Sequence, residues 1–174
     1  MTPKTAEQLI LSRVWCMPCG DTLSIKPIKE LFHKYSKGLS TIDPFARNCD
    51  LCSFTNDLNP ETKAQNHLYA DKFLSSFENL PFVVFDPPYS LRQVKEIYDS
   101  VGTGFTHKDS QNAMRWTIER DIISERQKPG NIVMSLGWTT SCMGKKRGYK
   151  IIEILLVSHG AAHNDTIVTV ERKL

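Results

Sequence analysis

The apolar positions of this chain fall into runs of two kinds. Phe82-Val83-Val84-Phe85 is unbroken, the pattern of a strand buried on both faces of a parallel sheet. It runs into Asp86, Pro87 and Pro88, and since proline cannot continue a ladder the strand ends at Asp86. That polar tip lies beyond the carboxyl end of a central strand, where open α/β sheets bind ligands. Longer runs at 131–136, 149–157 and 165–171 predict three more strands, and shorter ones at 39–42, 52–56 and 67–70 three others.

Helical spacing marks the rest. Ile28, Leu31, Phe32 and Tyr35 repeat at i, i+3, i+4, i+7 behind Pro27, with Gly38 as C-terminal cap. Leu9, Ile10 and Val14 behind a Thr5/Gln8 capping box predict a helix over 4–15, broken by Trp15-Cys16-Met17-Pro18. Val94, Ile97, Tyr98 and Val101 predict one ended by Gly102, followed by a polar loop over 104–111. Met114, Ile118 and Ile122 predict a helix over 112–127 that stops at Pro129-Gly130, with Trp116 as a packing residue.

Composition narrows the class. The 174 residues, 40% hydrophobic and 24% charged, suit one globular domain spanning 1–174. No apolar run reaches membrane-spanning length and the N-terminus lacks a signal-peptide pattern, so a cytoplasmic protein without a membrane partner is expected. A net charge of +3 is too small to argue for nucleic acid by itself. Between Ser90 and Gly130 seven Lys/Arg stand against six Asp/Glu, which leaves no electrostatic footprint there. Lys145-Lys146-Arg147, flanked by Gly144 and Gly148, is a local exception: either a phosphate-contacting loop or a solvated turn.

The tip after Phe85 suits one chemistry. An exocyclic amine of adenine or cytosine is a poor nucleophile because its lone pair is delocalised. Asp86 and the Pro87 carbonyl can accept its hydrogens and localise that lone pair toward a methyl donor, while Tyr89 offers a stacking face for an extruded base. The bland alternative is a strand end broken by prolines. Asp86-Pro87-Pro88-Tyr89 resembles the catalytic motif of S-adenosylmethionine-dependent DNA amino-methyltransferases, in the form associated with adenine. The resemblance extends to Lys26-Pro27 at a helix start and to Asp43-Pro44-Phe45 after a strand, in family order.

That resemblance implies a doubly wound, Rossmann-like α/β methyltransferase sheet of about seven mostly parallel strands, the last two forming an antiparallel pair at one edge. It implies S-adenosylmethionine as cofactor, with Lys26 in a motif lining its pocket, Asp43 on its amino group, Phe45 beside it and Asp71, after a third strand, on its adenine. It implies N6 of adenine in DNA as target, with RNA left open. Where the family carries Phe-x-Gly-x-Gly, this chain has Phe45-Ala46-Arg47-Asn48-Cys49; of these, Asn48 best tolerates left-handed backbone. Asp57, ending the second strand, suits a ribose contact, with capping of a helix opened by Pro60 as its alternative, a role that also suits Asn59.

No segment is long enough for a separate target-recognition domain, so a homodimer or a partner subunit is expected to supply that function. A catalytically degenerate subunit for nucleic-acid binding or assembly is the alternative reading. Cys16-x-x-Cys19 and Cys49-x-x-Cys52 could pair as zinc knuckles, but their placement around core strands favours free thiols and no metal. His159 and His163 lie in a loop without a zinc-protease glutamate.

Overall fold

The computed structural model describes residues 8–88, 116–160 and 163–174, together with Lys95 and Gly102. Seven strands of these residues form one sheet in the order β1-β6-β7-β5-β4-β2-β3: β1 Ile10–Trp15, β2 Thr41–Asp43, β3 Phe54–Thr55, β4 Phe82–Phe85, β5 Ile132–Gly137, β6 Tyr149–Ser158 and β7 Thr166–Lys173. β7 runs antiparallel to both of its neighbours, and every other pairing is parallel. Helices α1 Lys26–Ser36, α2 Ala70–Ser75 and α3 Thr117–Arg126, with 3-10 turns at Thr22–Ser24 and Lys145–Arg147, complete the described elements.

β4 is the centre of the packing. Phe82, Val83, Val84 and Phe85 are each at most 1% exposed. Their side chains alternate between the faces, and each face has its own core. Phe82 and Val84 join Ile28, Leu31 and Phe32 of α1, with Phe32 edge-on to Phe82 at 5.6 Å between centroids. Val83 and Phe85 join Phe73 and Leu74 of α2 and Ile123 of α3. Each such side chain contributes about 1.5–3 kcal/mol by leaving water. α1 forms where its spacing predicts, with Pro27 in its first turn and Gly38 at φ 73° beyond its end.

Two elements depart from their sequence patterns and offset each other in the strand count. Residues 10–15, expected in a helix, are β1, paired with Glu153–Ser158 of β6. The last two strands therefore do not form the sheet margin: β1 covers β6. Residues 67–70 are not a strand. Asn66 makes a single bridge to Asn56, and the chain turns helical at Ala70. No helix opens at Pro60 either, where Thr62 N–H bonds Asn59 O at 3.2 Å in a turn. α3 buries Glu119 and Ile123 rather than its fourfold stripe, and Ile118 is 52% exposed. The helix expected over 94–101, the loop over 104–111 and the first turn expected for 112–127 lie outside the described residues.

Two buried polar side chains beside the sheet are fully engaged, while Thr169 Oγ1 on β7 has no hydrogen-bond partner among the described residues. Gln127 donates to the carbonyls of Leu80 (2.7 Å) and Ile132 (3.0 Å) and accepts from Tyr149 Oη (2.7 Å). Glu171, 1% exposed on β7, accepts the N–H groups of Met143 (2.8 Å) and Gly144 (3.0 Å). It thereby fixes the β5–β6 connection against the sheet. Glu171→Ala leaves both donors unpaired and is expected to cost about 3 kcal/mol, read as a lower denaturant midpoint at unchanged slope.

Candidate active site

Topology locates the site. After β2 the chain moves outward to β3, then returns across β2 to place β4 on its other side. The crevice at the carboxyl ends of β2 and β4 is the switch point of the sheet, where doubly wound folds bind ligands. A cleft opens there, lined by Asp43, Phe45, Ala46, Arg47 and Cys49 after β2, by Asp86 after β4, and by residues 20–23. These last residues descend from the end of β1. They are a wall that the motif reading missed, and Arg47 Nη1 on Gly20 O at 2.8 Å ties them to the turn after β2.

Asp43 is 3% exposed, and one of its oxygens accepts Phe45 N–H at 2.9 Å. Burial pushes its carboxyl up from 3.8 to about 8, against the pull of that hydrogen bond, and the nearby Asp86 and Asp57 carboxylates add to the rise. A protonated carboxyl held beside two others suits a cationic group, which would restore its charge.

Phe45 sits edge-on between Phe85 (5.6 Å) and Trp116 (4.9 Å). Arg120 lies over the other side of this cluster, its guanidinium 5.6 Å from the Phe85 ring and its Nη2 on Ser141 O at 3.2 Å. Trp116 and Arg120 thus support the strand end that carries Asp86. Nothing in the helical periodicity of α3 marks them, because the contact runs across three elements.

The turn after Phe45 keeps a glycine-like geometry without glycine. Arg47, not Asn48, takes the left-handed conformation, at φ 51°, which costs roughly 1–2 kcal/mol for a residue with a Cβ. The surroundings hold it there. Its N–H donates to Asp57 Oδ2 at 3.2 Å, and its Nη1 to Gly20 O at 2.8 Å. Asp57 also accepts Asn59 N–H at 2.9 Å through Oδ1, so it pins the turns after β2 and β3 and does not cap a helix. Burial raises its carboxyl, and these hydrogen bonds oppose the shift. Asn56, 1% exposed, is the residue that sequence reasoning missed altogether. Its amide donates to Pro44 O (3.1 Å) and Leu68 O (3.0 Å) and accepts Leu68 N–H (2.9 Å), tying the β2 turn to the 66–68 segment.

The remaining expected residues fall at varying distances from this cleft. Asp86, Pro87 and Pro88 follow β4 as expected; Tyr89 lies outside the described residues. Lys26 opens α1 and is exposed, with Gly20–Leu23 before it lining the cleft in its place. Asp71 stands in the first turn of α2, not at a strand end, and meets Lys72 at 3.7 Å.

Lys145, Lys146 and Arg147 form a 3-10 turn just before β6. β6 begins opposite Lys173, level with the first residues of β4 and β5, so this turn lies at the far end of the sheet from Asp86. Arg147 is also committed internally, to Asp121 Oδ1 at 2.7 Å. Cys49 and Cys52 are buried while Cys19 is exposed, and no group of three or more metal-ligating side chains is assembled among the described residues. None of the described helices is long and apolar enough to cross a membrane.

No protein-family model and no curated protein sequence matches this chain. Solved structures do. TrmN from Thermus thermophilus superposes with a TM-score of 0.58 at 15% identity over 86% of this chain and 49% of its own, so the chain spans about half the length of that relative. A putative methylase from Haemophilus influenzae (TM-score 0.48, 10% identity, 91% of this chain and 92% of its own) and a methyltransferase homolog from Pyrococcus horikoshii (0.45, 11%, 95% and 61%) also match. The likeness to TrmN supports the fold: a doubly wound α/β sheet of seven mostly parallel strands.

The raised Asp43 carboxyl sets a pH dependence. Unfolded, it ionises near 3.8; folded, at about 8. Between these values the folded chain holds the extra proton, so this contribution to stability is full below pH 4 and is lost as pH rises through 8. Asp43→Asn keeps an acceptor for Phe45 N–H and removes the titration. Denaturant unfolding at pH 6 and pH 9 is expected to show wild type losing more stability than the variant. At pH 9 the variant should be the more stable by about 1–3 kcal/mol.

Proposed function

We propose that this chain transfers a methyl group from S-adenosylmethionine to the exocyclic amine of a nucleobase, N6 of adenine in DNA. One observation carries the reading: the Asp86-Pro87-Pro88 tip ends the central buried strand β4 and lines a cleft with Asp43 at the switch point of a methyltransferase-type sheet. S-adenosylmethionine supplies an electrophilic methyl group and carries an ammonium. The Asp43 carboxyl, buried and protonated for want of a cation, fits that ammonium. Phe45 offers a ring beside it, and the half-buried Asp71 beyond the 66–68 segment is the residue for its adenine. Asp57 holds the turn that shapes the floor, with lone pairs left for a ribose hydroxyl.

The chemical step belongs to the tip. Asp86 and the Pro87 carbonyl accept the two hydrogens of the target amine, which localises its lone pair along the line of attack. As the N–methyl bond would form and the methyl–sulfur bond break, with S-adenosylhomocysteine as leaving group, Asp86 would stabilise the cationic nitrogen until its extra proton is lost to solvent. The rigid prolines keep both acceptors in place without reorganisation. Tyr89 supplies the stacking face. Lys145 and Lys146, at the other end of the sheet, take no part in positioning the base.

A second reading follows from Arg47. Its side chain is latched to Gly20 O beside the cleft, where the family turn has glycine, and this favours a methyltransferase-fold subunit that has given up catalysis for binding or assembly. Methyl transfer from labelled S-adenosylmethionine to DNA and RNA oligonucleotides with defined adenine, cytosine or guanine targets separates the two. Adenine in DNA is expected to be labelled, and Asp86→Ala to lower kcat by at least about a hundredfold with cofactor affinity nearly unchanged. Wild-type turnover by Asp86→Ala would refute the mechanism; binding without any transfer would favour the second reading.

A further inference from the structure

Among the described residues β1 is an edge strand with one charged side chain, Arg13, and no other device that keeps an edge from pairing. The opposite edge, β3, is two residues long. β1 has six and continues the apolar sequence Leu9-Ile10-Leu11-Ser12-Arg13-Val14-Trp15, with no proline, lysine or acid. Its apolar side chains are not covered: Leu9 is 48%, Ile10 45%, Leu11 72% and Trp15 65% exposed.

The backbone fixes what can pair with it. Cys16 N–H donates to Ser158 O at 3.0 Å. Polar groups of successive residues point to opposite sides of a strand. The even-numbered residues therefore face β6, and Leu9, Leu11, Arg13 and Trp15 turn their N–H and C=O groups outward. An antiparallel strand satisfies them only where odd positions meet odd positions. Between two copies of this strand, a register with its two-fold axis at Ser12 engages all four. It sets Leu9 opposite Trp15 and Ile10 opposite Val14, apolar on apolar, and Leu11 opposite Arg13, so that no arginine lies directly opposite another. Shifting the axis to Arg13 would oppose the two cations directly, which is unfavourable. Arg13 itself is held on its own chain by Ser158 Oγ, from Nε at 3.2 Å and Nη2 at 3.1 Å.

We propose that β1 pairs antiparallel with β1 of a second copy of this chain about a two-fold axis at Ser12, joining two seven-stranded sheets into one. The pairing forms about eight backbone hydrogen bonds and consumes both edges, so it closes at a dimer. It also anchors the start of the segment that leads from Trp15 to residues 20–23 over the cleft. The inference is independent of the reaction assigned above.

Sedimentation equilibrium of the full chain across micromolar concentrations tests it. A dimer is expected for wild type. Leu11→Lys places a cation beside Arg13 of the other copy twice per interface and should weaken association by about tenfold, whereas Leu11→Glu places a carboxylate there and should preserve or tighten it. Leu11 is 72% exposed, so both variants should keep the wild-type circular dichroism and thermal transition. A wild type monomeric to about 100 µM, open-ended aggregation, or equal effects of Lys and Glu would each overturn the proposal.

Discussion

A carboxylate at the end of a doubly buried strand cannot reach water, and it is costly to leave charged without a partner. Asp43 is such a group, and the architecture around the cleft follows from holding it. β2 and β4 lie side by side, but the chain leaves them in opposite directions, so the crevice between their ends cannot be filled by a connecting loop. Two acids stand there, and a third follows β3. Burial first, and repulsion from Asp86 and Asp57 second, push the Asp43 carboxyl up to about 8, and Asp57 accepts backbone N–H groups from two turns.

The surrounding residues hold this arrangement rigid. Asn56 ties the β2 turn to the segment leading to α2. Arg47 bears left-handed strain so that its N–H reaches Asp57 and its side chain reaches Gly20. Phe45 is fixed between Phe85 and Trp116, and Arg120 closes the far side of Phe85. The proposed transfer, in which two hydrogens are accepted at fixed positions, needs such support, because a misplacement of about 1 Å can cost a hundredfold in rate.

The sequence was legible where the information was local. Four consecutive apolar residues and two prolines define β4 and its tip without reference to any other segment, and an apolar stripe behind Pro27 defines α1. Where a residue's state depends on a distant partner, the pattern misled. Leu9, Ile10 and Val14 have helical spacing, yet β6, more than 140 residues away, recruits Ile10 and Val14 into a strand. The 67–70 run has strand composition but is governed by the Asn56 amide, which leaves it a single bridge. Asn48 is the better left-handed residue by propensity, whereas Asp57 and Gly20 select Arg47. The three cations at 145–147 looked like one patch until β6 placed them at the amino ends of the strands and Asp121 claimed Arg147. Of the expected cofactor residues, Asp43 and Phe45 line the cleft and Asp57 anchors the turn beside them; Lys26 is exposed at the head of the expected helix, and Asp71 sits in α2 where a strand end was expected, so neither is in the cleft lining.

The central claim is that the cleft is built around a buried acid waiting for a cation. Calorimetric titration of wild type with S-adenosylmethionine near pH 7, in two buffers of different ionisation enthalpy, tests it most directly. The ammonium should draw Asp43 into its charged form, so binding should be accompanied by release of about one proton, a release that fades above pH 9. Binding without proton release, or no binding at millimolar cofactor, would contradict the account.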